Sequence, residues 1–179
     1  MAIETLAVLG AGDSGIAVAR LAALAGLHVR LWDPSEAVLR GALLLVRQQL
    51  ERAVHAGEVP PEHRQTILDG VLATTDLDEA VAGADAILET GPEAPDVRRA
   101  VLARAAEVAP EATLLASGAL AEVATGLPDP TRLAGIVLGD RPGERAPEAA
   151  AGPVSSAGAI DAARAVAGAL ARAVALHRA

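Results

Sequence analysis

The chain has 179 residues, a formal net charge of −8 and no cysteine. This length suits one domain with a well-buried core, and 52% hydrophobic with 21% charged residues is a globular composition rather than a disordered one. The negative balance argues against a nucleic-acid partner, the missing cysteines exclude disulfides and thiol catalysis, and no apolar run approaches the ~18 residues of a membrane span. The N-terminus lacks a basic stretch followed by a cleavage site, so a cytoplasmic protein is expected.

The first third of the chain alternates between strand and helix patterns. Thr5–Leu9 is a short apolar run typical of a buried parallel strand. Residues 15–26 have the apolar spacing of a helix and end on a glycine, which is favoured just after a last helical turn. A second strand is predicted at His28–Trp32, followed by a second helix over 35–55 that opens with a serine as its N-cap.

The middle third continues the alternation. Residues 56–70 are typical of a turn and a short helix, and a short strand is predicted at Val71–Thr74. A helix then starts at Asp76, a buried strand covers 84–88, and a longer helix covers 94–108.

The last third is predicted to contain strands at 112–115 and 133–138, then an irregular loop over 139–155 with at most one short strand. An Ala-rich helix over 157–171 and a final strand over 173–177 complete the pattern. Strands that alternate with helices predict an α/β fold with a mostly parallel sheet and helices on both faces. We find no internal repeat, and we expect a single domain over residues 1–179.

A glycine motif, G-x-G-x-x-G, follows the first strand and opens the first helix. Gly10 permits the tight turn, Gly12 lets the backbone approach a pyrophosphate, and Gly15 lets the helix pack against the strand. The helix N-terminus offers unpaired N–H groups and partial positive charge to phosphates. The motif in this context predicts a doubly wound, Rossmann-type dinucleotide-binding domain. The alternative is a tight turn in an α/β protein that binds no nucleotide.

Two acidic residues qualify this prediction. Asp33 ends the second strand, 18 residues after Gly15, where a carboxylate can accept hydrogen bonds from the adenosine ribose and repel the extra phosphate of NADP. NAD is therefore favoured over NADP. Asp13 lies within the phosphate loop, where it either competes with the pyrophosphate or faces water and favours the helix dipole.

The chain resembles the NAD-binding domain of the 3-hydroxyacyl-CoA dehydrogenases. The segment GAGDSGIAVARLAALAGLHVRLWDPS is similar to that family's opening, although the usual pattern has Met where Ser14 stands. The segment HAGEVPPEHRQTILDGVLATTDLDEAVAGADAILETGPE is similar to its insert, its Thr-Thr-Asp-Leu turn and its fourth strand. DVRRAVLARAAEVAPEATLLAS and LAGIVLGDRPG match later parts, so the resemblance covers about residues 3–177.

The resemblance implies that the domain holds NAD(H) and that the family's reaction is NAD-dependent oxidation of 3-hydroxyacyl-CoA to 3-ketoacyl-CoA. It implies a separate all-helical domain that completes the acyl-CoA site, and a homo-oligomer, as partners. Catalysis in the family uses a His–Glu pair, in which the His removes the hydroxyl proton and the Glu orients it. The residues expected to bind the cofactor cluster at the ends of strands one, two, four and five: Gly10, Ala11, Gly12, Asp13, Ser14, Gly15, Asp33, Glu89 and Ser117.

The substrate half of the family pattern is eroded. Glu93 matches the family's catalytic Glu, but the His position aligns with Val137, which cannot transfer a proton. The segment at Ser117 is a shortened version of the family's Ser-Asn-Thr-Ser-Ser, and Arg141, near the lost His, is either an anion ligand or a surface residue. The chain ends where the helical domain would begin. The four scattered histidines do not have the spacing of metal ligands, so no metal site is expected.

Three functions follow from this pattern. The chain is a working domain of an oxidoreductase, alone or beside a separate helical partner. Alternatively, it is a non-catalytic NAD-binding module, a pseudoenzyme that senses the nucleotide or supports a partner enzyme. The third alternative is a scaffold that binds no nucleotide. The residues favour the second function and the resemblance favours the first.

Overall fold

A computed structural model of the chain describes residues 2–91, 94–139 and 145–176. Seven strands in this part of the chain form one sheet: β1 (Thr5–Leu9), β2 (His28–Trp32), β3 (Val71–Thr74), β4 (Ala86–Glu89), β5 (Thr113–Ala116), β6 (Leu133–Val137) and β7 (Glu148–Ala151). The spatial order is β3-β2-β1-β4-β5-β6-β7. The first six strands are parallel, and β7 pairs antiparallel with β6.

Helices cover both faces of this sheet. They are α1 (Asp13–Leu24), α2 (Glu36–His55), α3 (Arg64–Asp69), α4 (Leu77–Val81), α5 (Pro95–Val108), α6 (Leu120–Ala124) and α7 (Ala157–Leu176), with short 3₁₀ turns at Pro61–His63 and Pro130–Arg132. Alternate residues of β1 serve the two faces, since Leu6 and Val8 pack with α1 and α7, whereas Ala7 and Leu9 pack with α4 and α5. The expected Rossmann-type α/β class is thereby confirmed.

The strand order reverses direction beside β1, because the chain builds outward from it to β2 and β3 and then returns to place β4 on its other side. In open α/β sheets, ligands bind in the crevice outside the carboxyl ends of the strands at such a switch point. The loops that follow β1 and β4 therefore frame the region where a ligand is expected.

Local signals explain several element boundaries. The Ser35 hydroxyl accepts a hydrogen bond from the N–H of Val38 and so caps α2, as predicted. After α1, Gly26 adopts a φ of +85° and donates to the carbonyl of Ala23, while Leu27 donates to that of Ala22. This is the hydrogen-bond pattern of a glycine-terminated helix.

Arg132 holds the far end of α5. Its guanidinium donates to the carbonyl oxygens of Ala109 and Ala112 at 2.6 Å each, and to that of Ala106 at 3.4 Å. The carbonyl of Ala106 lies in the last turn of α5, where Pro110 has no N–H to donate to it. The other two lie in the connection to β5, where the carbonyl of Ala109 also accepts a hydrogen bond from the N–H of Ala112. Burial lowers the pKa of Arg132, yet the group remains a cation at any physiological pH.

The structure corrects one predicted element and adds one that was not predicted. The strand predicted over 173–177 is wrong, because residues 173–176 continue α7 without a break, while His177 lies outside the described residues. Alanine is the best helix former, and Ala173 and Val174 extend the buried stripe that Val166 and Leu170 begin. The short helix α6 was not predicted, whereas β7 is the short strand allowed for within 139–155.

Candidate functional site

The loop between β1 and α1 has two glycines that the fold itself requires. Gly10 adopts a φ of +102°, which side chains disfavour, and its N–H donates to the carbonyl of Trp32 at 2.8 Å. A Cβ on Gly15 would lie 1.8 Å from the carbonyl oxygen of Gly10. The first and third glycines therefore let the turn form and the helix approach it, as the motif predicts.

Gly12 differs from both. It is the N-cap of α1 with a φ of −74°, which any residue can adopt, and a Cβ at this position would have no heavy atom within 4 Å beyond its own chain neighbours. The fold thus gives no reason for a glycine here, but open space at a helix N-terminus fits a phosphate group. Ala11 is buried beneath this space, and Ser14 is half-buried in the first turn.

Asp13 is exposed at the first position of α1. It lines a cavity of about 390 Å³ between α1 and α2, together with Arg20, Leu45 and Arg52. Burial lowers the pKa of Arg20, and the nearby Glu58 carboxylate partly opposes this effect. Asp13 therefore borders the groove between the two helices as well as the phosphate loop.

Asp33 connects the end of β2 to the glycine loop. Its Oδ2 accepts a hydrogen bond from the N–H of Ala11 at 3.1 Å, and its Oδ1 accepts one from the N–H of Ser35 at 2.9 Å. Each carboxylate oxygen has a second lone pair, and the side chain is only half-buried. The carboxylate can therefore hold the loop and still accept hydrogen bonds from a ligand hydroxyl.

An apolar pocket of about 140 Å³ opens beside Asp33. Trp32 and Pro34 line it on the β2 side, and Val97 and Val101 line it on the α5 side. The indole N–H of Trp32 donates to the carbonyl of Thr75 at 3.0 Å, which fixes the ring. A largely apolar slot with one carboxylate at its mouth fits a flat heterocycle attached to a sugar.

Glu89 ends β4, belongs to the lining of this pocket and is almost fully buried. Its Oε1 accepts a hydrogen bond from the N–H of Gly91 at 2.6 Å, and its Oε2 lies 3.2 Å from Nε of Arg98. Arg98 also donates to the carbonyl of Gly91 at 3.1 Å. The structure therefore places Glu89 at the carboxyl end of β4, with its carboxylate turned toward Arg98 of α5.

Thr90 was not singled out from the sequence. Its side chain is buried, and its hydroxyl lies 3.1 Å from the carbonyl oxygen of Leu9 and 3.2 Å from that of Gly10. A threonine after a strand has many ordinary roles, and only the pairing of β4 with β1 shows which atoms it reaches.

The edge formed by β5 and β6 contains Ser117 and Val137. Ser117 is half-buried at the end of β5, and its N–H donates to the carbonyl of Glu89 at 3.1 Å. Val137 ends β6, is 54% exposed and pairs with Glu148 of β7. Between them Ala119, the N-cap of α6, adopts a left-handed conformation with a φ of +53°. Glu93 and Arg141, both named from the sequence, lie outside the described residues.

Two negative observations apply to residues 2–91, 94–139 and 145–176. Within these ranges no group of three or more His, Cys, Asp or Glu side chains could hold a metal ion. No helix in the same ranges is both long enough and apolar enough to cross a membrane.

Comparison with known proteins adds the family. The sequence profile described as "3-hydroxyacyl-CoA dehydrogenase, NAD binding domain" matches residues 5–136. Over 106 residues the chain is 33% identical to 3-hydroxyadipyl-CoA dehydrogenase of Escherichia coli K12, which is 59% of this chain and 22% of that protein. Over 78 residues it is 37% identical to a 3-hydroxybutyryl-CoA dehydrogenase of Mycobacterium tuberculosis, which is 44% of this chain and 27% of that protein.

A solved structure, 3-hydroxybutyryl-CoA dehydrogenase from Escherichia coli K12, superposes with a TM-score of 0.88 at 26% identity and covers 95% of this chain and 37% of that one. The matched region thus spans about a quarter of each curated relative. The glycine loop, the open N-terminus of α1 and the acid that ends β2 all suit the cofactor named by the profile. The chain belongs to the NAD-binding domain family of the 3-hydroxyacyl-CoA dehydrogenases, and its cofactor is NAD.

Proposed function

We propose that NAD(H) binds across the carboxyl edge of the sheet, with its adenosine in the pocket beside Asp33 and its pyrophosphate at the N-terminus of α1. The open space at Gly12 carries this proposal, because the fold does not need that glycine and a phosphate does. The nicotinamide, which exchanges hydride with a substrate when bound, then extends toward Ser117. Glu89 and Arg98, which pair with each other, form part of the pocket wall.

Asp33 favours NAD over NADP in this arrangement. Both of its oxygens already accept backbone hydrogen bonds, so the carboxylate is held in place at the pocket mouth. A fixed carboxylate accepts hydrogen bonds from ribose hydroxyls and repels a phosphate attached to the same ribose. The pocket lining includes one cation, Arg98, and its guanidinium is engaged by Glu89 and Gly91.

We further propose that this chain by itself oxidises 3-hydroxyacyl-CoA weakly or not at all. Val137 stands where the family has its general base, and a missing base costs about 10²–10⁴-fold in rate. The carboxylate paired with it across the ladder, Glu148, is exposed at the start of β7. The chain is then a nucleotide-binding module that supports a partner, or one half of an enzyme whose acyl-CoA site a separate helical domain completes.

Calorimetric titration with NADH, NAD⁺ and NADP⁺ tests the binding proposal. The parent chain should bind NADH and NAD⁺ more tightly than NADP⁺. Gly12→Val should abolish binding without loss of helix content, because the valine side chain occupies the space assigned to the pyrophosphate. Gly41→Val is the matched control, since Gly41 also has open space around it but lies on the exposed side of α2. Unchanged NADH affinity in Gly12→Val would show that the phosphate site is elsewhere.

Consumption of NADH with acetoacetyl-CoA tests the catalytic proposal. The parent chain should show no turnover above background, and Val137→His alone should restore little because one residue does not rebuild substrate positioning. Robust turnover by the parent would contradict the proposed loss of the general base. If Glu148→Gln then abolished that turnover, Glu148 would be identified as the residue that replaces the base. Turnover that needs a separate helical protein would identify a split enzyme.

A further inference from the structure

The peptide unit between Gly10 and Ala11 is held at both ends by side chains of residues that follow two different strands, β2 and β4. Its N–H, on Ala11, donates to Oδ2 of Asp33 at 3.1 Å. Its carbonyl, on Gly10, lies 3.2 Å from the hydroxyl of Thr90. Because a peptide unit is planar, fixing both groups fixes the orientation of the whole plane.

The hydroxyl of Thr90 reaches two carbonyl oxygens, that of Leu9 at 3.1 Å and that of Gly10 at 3.2 Å. It has one proton to share between the carbonyls of Leu9 and Gly10, but the carbonyl of Leu9 also accepts a hydrogen bond from the backbone N–H of Thr90 at 3.0 Å. The carbonyl of Leu9 therefore keeps a donor when the hydroxyl turns to the carbonyl of Gly10.

This peptide unit needs such support because its first residue is Gly10. Gly10 has no side chain and adopts a φ of +102°, so its backbone torsions resist rotation little. A rotated peptide would present its carbonyl oxygen, in place of its N–H, to the Asp33 carboxylate. That carboxylate would be repelled from its position, and Asp33 is the proposed partner of the adenosine ribose.

We infer that Thr90 is a positioning residue for dinucleotide binding, which acts through the Gly10–Ala11 peptide on the Asp33 carboxylate. The inference rests on the proposed binding site. It predicts that loss of the threonine weakens the binding of the adenosine half of the ligand. This effect is indirect, because Thr90 itself is only 8% exposed.

The test compares Thr90→Val, which keeps the shape and removes the hydroxyl, with Thr90→Ser, which keeps the hydroxyl. Thr90→Val should raise the Kd for NADH about tenfold, the effect of one lost hydrogen bond of ~1.4 kcal/mol, and Thr90→Ser should stay within about threefold of the parent on the same scale. ADP-ribose is NADH without its nicotinamide. Its affinity should fall in Thr90→Val by the same factor as the affinity for NADH.

Thr113→Val is the matched control, because Thr113 is a second buried threonine at the opposite, amino edge of the sheet. It makes the same change of side chain away from the glycine loop and should leave the Kd for NADH unchanged, which separates the positioning role from a general effect of replacing a buried threonine. If Thr90→Val does not fold, Thr90→Ala against Thr90→Ser makes the same comparison. Combined with Asp33→Asn, Thr90→Val should cost less than the product of the two separate losses, because both act on one peptide.

The possible failures are distinguishable. If the parent chain does not bind NADH, the proposed function is wrong. If the parent binds but Thr90→Val has a Kd within about twofold of it, a difference below that of one hydrogen bond, only the positioning role is wrong. Independent, multiplicative losses in the double variant would also overturn that role.

Discussion

Replacing Gly15 by alanine should destabilise the domain, whereas the same replacement at Gly12 should not. The new methyl group at position 15 would lie 1.8 Å from the carbonyl oxygen and 2.9 Å from the carbonyl carbon of Gly10, both backbone atoms that cannot rotate away. Either α1 must move away from β1 or the turn must open. Overpacking of this kind costs about 1–3 kcal/mol, and we expect the upper end because the clash is with backbone.

At Gly12 two small effects oppose one another. Alanine reduces the freedom of the unfolded chain, which stabilises by about 0.4–1 kcal/mol where the native φ is allowed, and here the φ is −74°. Alanine is also a poorer N-cap than glycine, by roughly the same amount. The free energy of unfolding should therefore stay within about 0.5 kcal/mol of the parent at this exposed position.

Urea unfolding followed by circular dichroism measures both variants. A loss of ~2–3 kcal/mol in Gly15→Ala corresponds to a decrease in Tm of about 4–12 °C for a domain of this size. Gly15→Ala within about 0.5 kcal/mol of the parent would show that the helix does not rest on the Gly10 carbonyl. A large loss in Gly12→Ala would show that the open space is filled by protein.

Three further variants test other parts of the structure. Asp33→Ala should weaken NADH binding by on the order of 1–3 kcal/mol and reduce the preference for NAD over NADP, because it removes the ribose acceptor and leaves the Ala11 N–H unpaired; unchanged selectivity in calorimetry would contradict this role. Arg132→Met should lower the free energy of unfolding by about 1–3 kcal/mol, since it removes the part-buried hydrogen bonds of the guanidinium to the carbonyls of Ala109 and Ala112. Arg104→Met, which removes two exposed ion pairs, should change the urea midpoint little; equal effects would refute the difference. Ala119→Gly should stabilise by roughly 0.5–1 kcal/mol because it relieves a left-handed alanine, and a lowered thermal midpoint would argue against that conformation.

Local sequence patterns predicted the elements that carry the dinucleotide loop. β1, β2 and β3 have the predicted bounds, and the N-cap at Ser35 is confirmed. These elements have strong local determinants, namely short apolar runs and glycine or serine at their ends. The final helix was divided wrongly because a short apolar run such as the one after Arg172 suits a buried strand as well as a helix. Only its packing on α1 and the sheet shows that the helix continues.

The supporting groups of the site could not be predicted in the same way. Thr90 lies 80 residues from the carbonyl of Gly10 that it contacts, and no local pattern marks that contact. Arg98 is one of 15 arginines, and nothing in its spacing marks it as the one that reaches Glu89. Long-range partners of this kind become visible only when the strand order places β4 beside β1.

The position of Trp32 gives the chain an intrinsic optical reporter. The protein has one tryptophan and neither tyrosine nor phenylalanine, so its ultraviolet emission comes from one indole, and that indole lines the pocket beside Asp33. Reduced nicotinamide absorbs in the range where tryptophan emits, and energy transfer over the dimensions of one small domain is efficient. Binding of NADH can therefore be followed by the quenching of tryptophan fluorescence in the unlabelled chain. Trp32→Phe is the control variant that lacks this emission.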